Sequence, residues 1–333
     1  MIRVQFLPVF RNGVTNPLLR VLGERLPERL AERGIEWDCD ERSADLVWAC
    51  QHRFDQRSDR PTVVQDAIDW AALNWMGRES LRQEHVRLVL KGTLYRDYAL
   101  YNAPVFEDTH HGRLVLESAA EHDRPDQCRQ KSPPFELTGG ELQKLRLGYN
   151  WLYHPRIDCL SERDGDDSER DVDIFFADTT EYSSWHVQWH RTRVADVLES
   201  LPGRVVVSRS RSFGLREYAE MLYCSKIVVS PWGFGETCIR DLEALMAGCV
   251  LVKPETSFVR TWPEYHDADH CLTFQSDAAD LAAVVGRGLE QFEELADSRR
   301  ELQARLKTLR SLDVLADRVA GFVREAVELR VES

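Results

Sequence analysis

The chain has 333 residues, enough for two domains of ordinary size with buried cores. Hydrophobic residues make up 43% and charged residues 30%, a globular composition in which no apolar stretch approaches a membrane span. A formal net charge of -13, with no basic cluster, argues against duplex nucleic acid as a partner.

Residues 2–10 read as a first strand, and Asn12-Gly13 as the turn that closes it. Asn16-Pro17 predicts a helix start, with proline at the first helical position. Leu18, Leu19, Leu22, Leu26 and Leu30 then predict one amphipathic helix ending at Gly34. Strands follow at 35–39, 44–50, 62–65 and 86–91, with an aromatic-rich helix at 68–76 between the last two. Strands alternating with helices predict a doubly wound parallel sheet. No GxGxxG follows the first strand, so this half shows no dinucleotide site of its own. The stretch 95–140 is irregular and reads either as an acceptor-recognition loop or as a variable surface insertion. Residues 142–151 predict a helix.

The segment 161–171, SERDGDDSERD, is almost wholly charged or small and reads as a solvated linker. Its aspartates do not fit a calcium loop: Glu169 stands in the glycine position and Phe175 in that of the terminal glutamate. The linker divides the chain into an N-terminal α/β unit, 1–160, and a C-terminal one, 172–312, with a last helical segment at 313–333. In the second unit, strands are expected at 172–177 and 204–208, with helices at 187–201 and 218–224. Arg209 and Arg211 follow the second strand at its carboxyl end, the ligand edge of such sheets. They read either as diphosphate contacts or as solvated arginines.

Residues 226–254 carry the strongest signal. Ile227-Val228-Val229 is a buried strand closed by Ser230-Pro231. The loop Trp232-Gly233-Phe234-Gly235 lets the backbone turn sharply and approach a ligand. Glu236-Thr237 open a helix whose stripe is Ile239, Leu242, Leu245 and Met246. Gly248 ends it, and Val250-Leu251-Val252 begins the next strand. Arg240, in the first helical turns, is placed to bind a phosphate as a bidentate cation, and Glu243, three residues on, to accept hydrogen bonds from a ribose diol. The alternative is a surface Arg–Glu pair on an ordinary crossover helix. Beyond this unit, a strand is expected at 271–274 and helices at 277–296 (with a break), 298–309 and 314–327.

The stretch 215–265 resembles the donor-binding core of GT-B glycosyltransferases, of the group-1 and exostosin-like kinds. The matching pieces are Ser230-Pro231, Gly233 to Gly235, Arg240, Glu243-Ala244-Leu245 and Gly248 to Val252, with Tyr218, Leu222, Ser225 and Lys226 upstream and Thr261-Trp262-Pro263 downstream. One departure is that group-1 members place a glutamate where this chain has Trp232, and its nearest glutamate, Glu236, follows the glycines. The resemblance implies two Rossmann-like domains facing a cleft, and a last helix crossing back onto the first. It also implies a nucleotide-diphosphate sugar as donor, a small-molecule or glycan acceptor, and no metal or other cofactor. The donor site would comprise Ser230, Gly233, Phe234, Gly235, Glu236, Thr237, Arg240, Glu243, Arg209 and Arg211. Competing expectations are a nucleotide-sugar epimerase of the same fold and a non-catalytic binding module.

An inverting transfer needs a general base from the first domain. His52, Asp66 and Asp97 stand at or after strand ends, and Asp66 is the expected base, with helix capping as its structural alternative. Asp38-Cys39-Asp40, Asp164-Gly165-Asp166 and Asp267-Ala268-Asp269 match the short metal motif of the GT-A fold, a weak pattern in an acidic chain. No GxSxG elbow or HExxH pair occurs. His186 and His190, four apart, lack a third ligand and read as solvated or capping residues. Eight cysteines without a CxxC pair, and an N-terminal apolar run too short for a signal peptide, predict a reduced protein of the cytoplasm.

Overall fold

A computed structural model describes residues 1–7, 17–50, 59–66, 71–106, 110–118, 130–149, 151–161, 167, 170–210, 212–266 and 268–329. The first unit contains β1 (Ile2–Leu7), α1 (Pro17–Glu24), α2 (Pro27–Glu32), β2 (Ile35–Trp37), β3 (Leu46–Cys50), β4 (Thr62–Gln65), α3 (Trp75–Arg82) and β5 (Val86–Lys91). It continues through β6 (Thr93–Tyr95), β7 (Val105–Phe106), α4 (His110–Ser118), β8 (Gln130–Lys131), α5 (Gly139–Leu142), β9 (Leu145–Leu147) and α6 (Pro155–Ser161). The second has β10 (Val172–Ala177), α7 (Trp185–Glu199), β11 (Val205–Ser208), α8 (Leu215–Tyr223), β12 (Ser225–Val229), α9 (Ile239–Met246) and β13 (Val250–Pro254). After it come β14 (Val259–Thr261), β15 (Cys271–Phe274), α10 (Leu281–Glu290), α11 (Ala296–Leu309) and α12 (Leu312–Glu328).

Six strands make the first sheet, in the order β2-β1-β3-β4-β5-β9, and five make the second, in the order β11-β10-β12-β13-β15; every pairing is parallel. In both, the second strand lies on one side of the first and the third on the other, the doubly wound arrangement expected. Each unit is thus a Rossmann-like parallel sheet. The period of two in the strands explains the burial of both faces. Phe175, Val228 and Leu251 point into one apolar cluster, and Ile174, Phe176, Ile227, Val229 and Val252 into another. The first of these clusters also takes Trp48, Val63, Leu88 and Leu90 from the first sheet, so one core spans both units. Its middle is supplied by Leu152, Ile157 and Leu160 around α6 and by Leu315, Val319 and Val323 of α12. α12 packs on β3, β4, β5 and α2 of the first unit.

Several sequence expectations shift. The helix expected from Leu18 to Gly34 is two, α1 and α2, because Pro27 cannot donate to the preceding turn and instead takes the first position of a new helix. The aromatic-rich helix starts later, at Trp75, where the side chain of Asn74 accepts the Gly77 amide at 2.8 Å; residues 67–70 lie outside the described set. Where a helix was expected over 142–151, the short α5, opened by a capping box of Thr138 and Glu141, ends at Leu142, and Leu145-Arg146-Leu147 alternates as strand β9. Of the linker, the described residues Asp167 and Arg170 are engaged in contacts. Asp167 pairs with Arg299 at 3.0 Å and with Arg170 at 2.9 Å. Arg170 is itself buried, donating to the carbonyls of Leu222, Ser225 and Ala247. The described residues of the stretch 95–140 include β7, α4, β8 and the start of α5.

The two units are also stitched directly. β6 of the first pairs antiparallel with β14 of the second, Tyr95 opposite Val259 and Thr93 opposite Thr261. Arg96 extends this ribbon by donating from its amide to the Phe258 carbonyl at 2.8 Å and from Nε to the Val259 carbonyl at 3.0 Å. Nearby, the Thr93 and Thr237 hydroxyls lie 3.0 Å apart.

Candidate active site

In the second sheet the strand order reverses direction between β10 and β12. Ligands of open parallel sheets bind outside the carboxyl ends of the strands at such a point. Here the residues leaving β10 and β11, together with the start of α9, line a cavity of about 470 Å³. Its wall includes Asp178 and Tyr182 after β10, Arg191 from α7, Ser212 and Phe213 after β11, Tyr218 from α8, Cys238 and Arg240 at α9, and Arg156 from α6.

Three guanidinium groups thus converge on one space. Arg240 donates from Nη1 to Asp178 Oδ2 at 2.9 Å, and Arg191 from Nη1 to Asp178 Oδ1 at 2.7 Å. Arg191 also donates from Nε to the Trp232 carbonyl at 3.0 Å, and its guanidinium lies 4.5 Å from the centre of the Tyr182 ring. Arg156 holds Glu243 through Nε at 2.7 Å and Nη2 at 3.1 Å, lying over the Tyr218 ring. Burial opposes the charge of Arg240, but Asp178 and its neighbours outweigh burial and hold its pKa well above normal. For Arg191 burial prevails over Asp178 and the pKa is lowered. Burial likewise pushes the Glu243 carboxyl up, against the pull of Arg156 and Arg240.

The loop 230–238 is shaped from behind. Asp241 is fully buried: its Oδ1 accepts from the Ser230 hydroxyl at 2.6 Å, and its Oδ2 from Lys253 Nζ at 2.6 Å and the Tyr265 hydroxyl at 2.9 Å. The same carboxylate reaches back to the Cys238 amide at 3.2 Å, the cap of α9. Burial opposes the Asp241 charge, but Lys253 and these donors hold its pKa below the usual range. Gly233 passes so close to Arg191 that a Cβ there would stand 3.2 Å from Nη2.

The expected site residues divide accordingly. Arg240 lines the cavity. Ser230, Gly233 and Gly235 form its supporting loop, Ser230 by orienting Asp241. Phe234 is exposed and packs edge-on against Tyr182 with ring centres 4.8 Å apart. Thr237 and Glu236 do not open the helix, which starts at Ile239. Glu236 turns toward the first unit: its Oε2 accepts the Ala71 amide at 2.8 Å, and Oε1 lies 3.5 Å from His111 Nδ1. Burial raises the Glu236 pKa, but His111 and the Ala71 amide outweigh it and bring it below normal. Glu243 sits behind the cavity wall with both oxygens engaged by Arg156 and Tyr218, whose hydroxyl donates at 2.9 Å, so it is a brace for Arg156 rather than an open ribose acceptor. Arg209 faces away, bound to Asp196 and Glu199 of α7, because those carboxylates on the adjoining helix surface compete for it. Arg211 and His52 lie outside the described residues.

Asp66, the expected base, is buried in an ion pair with Lys91 Nζ at 2.6 Å, both side chains inaccessible, and does not face the cavity. Asp97 caps a 3-10 turn, accepting the Ala99 amide at 2.9 Å. His186 and His190 are buried rather than solvated; His190 stacks on Trp232 and bonds the Ser276 carbonyl, and burial brings its pKa to about 3. Among the described residues, no group of three or more His, Cys, Asp or Glu is placed to hold a metal ion, and no helix is long and apolar enough to cross a membrane. Sequence reasoning missed Arg156, Arg191, Asp178 and Tyr182. The only signal for Asp178 was its place directly after a buried strand; the two arginines carry none, since each comes from a helix remote in sequence.

No family model matches the chain, and no curated protein matches it. Among solved structures, it is similar to a glycosyltransferase from Rickettsia africae ESF-5, with 9% identity over 99% of each chain and a TM-score of 0.44. An α1,3-fucosyltransferase crystallised with GDP shares 12% identity over 91% of this chain and 81% of that one, with a TM-score of 0.40. An α-glucosyltransferase in complex with UDP shares 10% identity over 97% of this chain and 95% of that one, with a TM-score of 0.34. At such scores these likenesses say nothing of the site, whose chemistry follows from its own residues.

Proposed function

We propose that the protein is a glycosyltransferase that moves a sugar from a nucleoside-diphosphate sugar to an acceptor hydroxyl. The single observation carrying this reading is the convergence of Arg156, Arg191 and Arg240 on a cavity at the switch point of the second sheet, beside the start of α9. Three cations at a helix N-terminus suit a diphosphate, and they supply the positive charge it requires without a metal ion. Tyr182, Phe213 and Tyr218 offer aromatic walls for the nucleoside. As the sugar leaves, negative charge grows on the diphosphate, and Arg240 offsets it. The loop Ser230–Thr237 leads into α9, whose first residues line the cavity, and this supports a part for it in donor binding. The buried ion pair with Lys91 supports a structural part for Asp66 over that of the base, and a retaining transfer requires none. The free state of the seven described cysteines fits the cytoplasm.

The reading is tested by titrating the protein with UDP, GDP, ADP and dTDP in a calorimeter, followed by turnover assays with the sugar nucleotides of whichever binds. Saturable binding of one diphosphate with release of it from its sugar nucleotide is expected. Binding without turnover on any donor would favour a binding module, and a free epimerised sugar would favour an epimerase. No binding of any diphosphate would overturn the reading.

A further inference from the structure

Resting on that reading, we propose that Asp178 is an internal counter-anion: its carboxylate occupies the two arginines that the ligand's phosphates must take, and so tunes the cavity to ligands carrying a diphosphate and speeds their release. The geometry is that of a bound anion. One carboxylate oxygen accepts from Arg191 at 2.7 Å and from the Thr179 amide at 2.9 Å, and the other from Arg240 at 2.9 Å. The position is held by the backbone, since the Asp178 amide donates to the Ser208 carbonyl at 3.0 Å across β10 and β11. Asp178 lines the cavity together with both arginines. The third cation repeats the arrangement, because Arg156 lines the same cavity and is paired with Glu243.

In the free protein Arg156, Arg191 and Arg240 therefore each already have a carboxylate partner. An entering anion gains only the difference between its own contacts and those it displaces. A single phosphate exchanges one carboxylate contact for another of similar strength. A diphosphate replaces several at once and adds the helix N-terminus, so selection favours it over a monophosphate. The same competition weakens the hold on the product diphosphate once the sugar has left.

The test is calorimetric titration of the parent, Asp178→Asn and Asp178→Glu with inorganic pyrophosphate, inorganic phosphate, UDP, GDP, ADP and dTDP. Asp178→Asn, with folding verified by circular dichroism, is expected to bind pyrophosphate and the preferred nucleotide about tenfold or more tightly, the scale of one charge-assisted contact no longer competed for. It should also bind inorganic phosphate measurably, and Asp178→Glu should return toward the parent. A merely structural role would move affinity the other way, so unchanged or weaker binding by folded Asp178→Asn overturns the proposal while leaving the donor site intact. If no protein in the series, parent included, binds any diphosphate, it is the donor-site reading that fails. Should Asp178→Asn not fold, a crystal structure of the parent soaked in pyrophosphate decides: the Asp178 carboxylate displaced from Arg191 or Arg240 supports the proposal, and an anion bound with both ion pairs intact overturns it.

Discussion

Asp66→Asn separates a catalytic role from a structural one. In the structure Asp66 and Lys91 form an ion pair at 2.6 Å with no exposure of either side chain. Removing one partner strands the other charge in the core, which costs about 3–5 kcal/mol. Against a total stability of roughly 5–15 kcal/mol for a folded domain, that is a large fraction. Lys91→Met alone should cost about as much, since it strands Asp66 instead. The double variant should be less damaged than the sum of the two, by about 0.5–3 kcal/mol, because neither charge then remains unpaired. Urea denaturation followed by tryptophan fluorescence reads all four proteins; Trp48, one of nine tryptophans, lies in the same sheet. Donor turnover, measured below the transition, should follow the folded fraction. The reasoning is refuted if Asp66→Asn keeps its stability within about 1 kcal/mol and loses turnover selectively, for Asp66 would then be doing chemistry that its burial forbids.

Arg240→Ala should lower donor turnover by on the order of a hundredfold or more, the scale for removing a charge-stabilising donor; a parent-like kcat in a folded variant would remove Arg240 from the site. Glu243→Gln frees Arg156 from a charged partner, so nucleoside-diphosphate affinity should hold or rise; a fall of more than tenfold would restore the ribose role instead. Acid should destabilise the fold through Glu236 and Asp241, whose pKa values are both lowered. A depressed carboxyl contributes stability above its unfolded value of about 4 and loses it as pH falls through the folded one, so the melting temperature should drop below about pH 4. Asp241→Asn should start lower at neutral pH and show a shallower decline, a comparison that differential scanning fluorimetry across pH 3–7 would read.

What the sequence discloses is what is local. Ile227-Val228-Val229 and Val250-Leu251-Val252 are short, β-branched and bounded by breakers, and both are strands of the second sheet. The period of two survives folding because each strand must satisfy two buried faces. Errors fall where local signals compete. Pro27 splits an otherwise continuous leucine stripe, and the alternation of Leu145-Arg146-Leu147 is too brief to stand out from its helical surroundings. The cavity is the least local feature. Arg240 is marked by the motif it sits in, whereas Arg156 reaches the site from a helix ahead of the linker and Arg191 from the crossover before β11. Glu243 shows the limit in reverse: the motif and the spacing are present, yet Tyr218 and Arg156 fill both its oxygens.

The antiparallel pairing of β6 with β14 has a bearing on how this chain can be cut. β6 lies in the sequence before the linker and β14 after it, while α12, the last helix, returns to cover the first sheet. Severing the backbone at the linker therefore frees neither half: each fragment would keep a strand edge and an apolar helix face whose mates sit on the other piece. Expressed separately, the halves should be insoluble or sticky; expressed together, they should reassociate into one particle without a peptide bond between them. The wiring of the chain, more than the linker, makes the two units a single cooperative body.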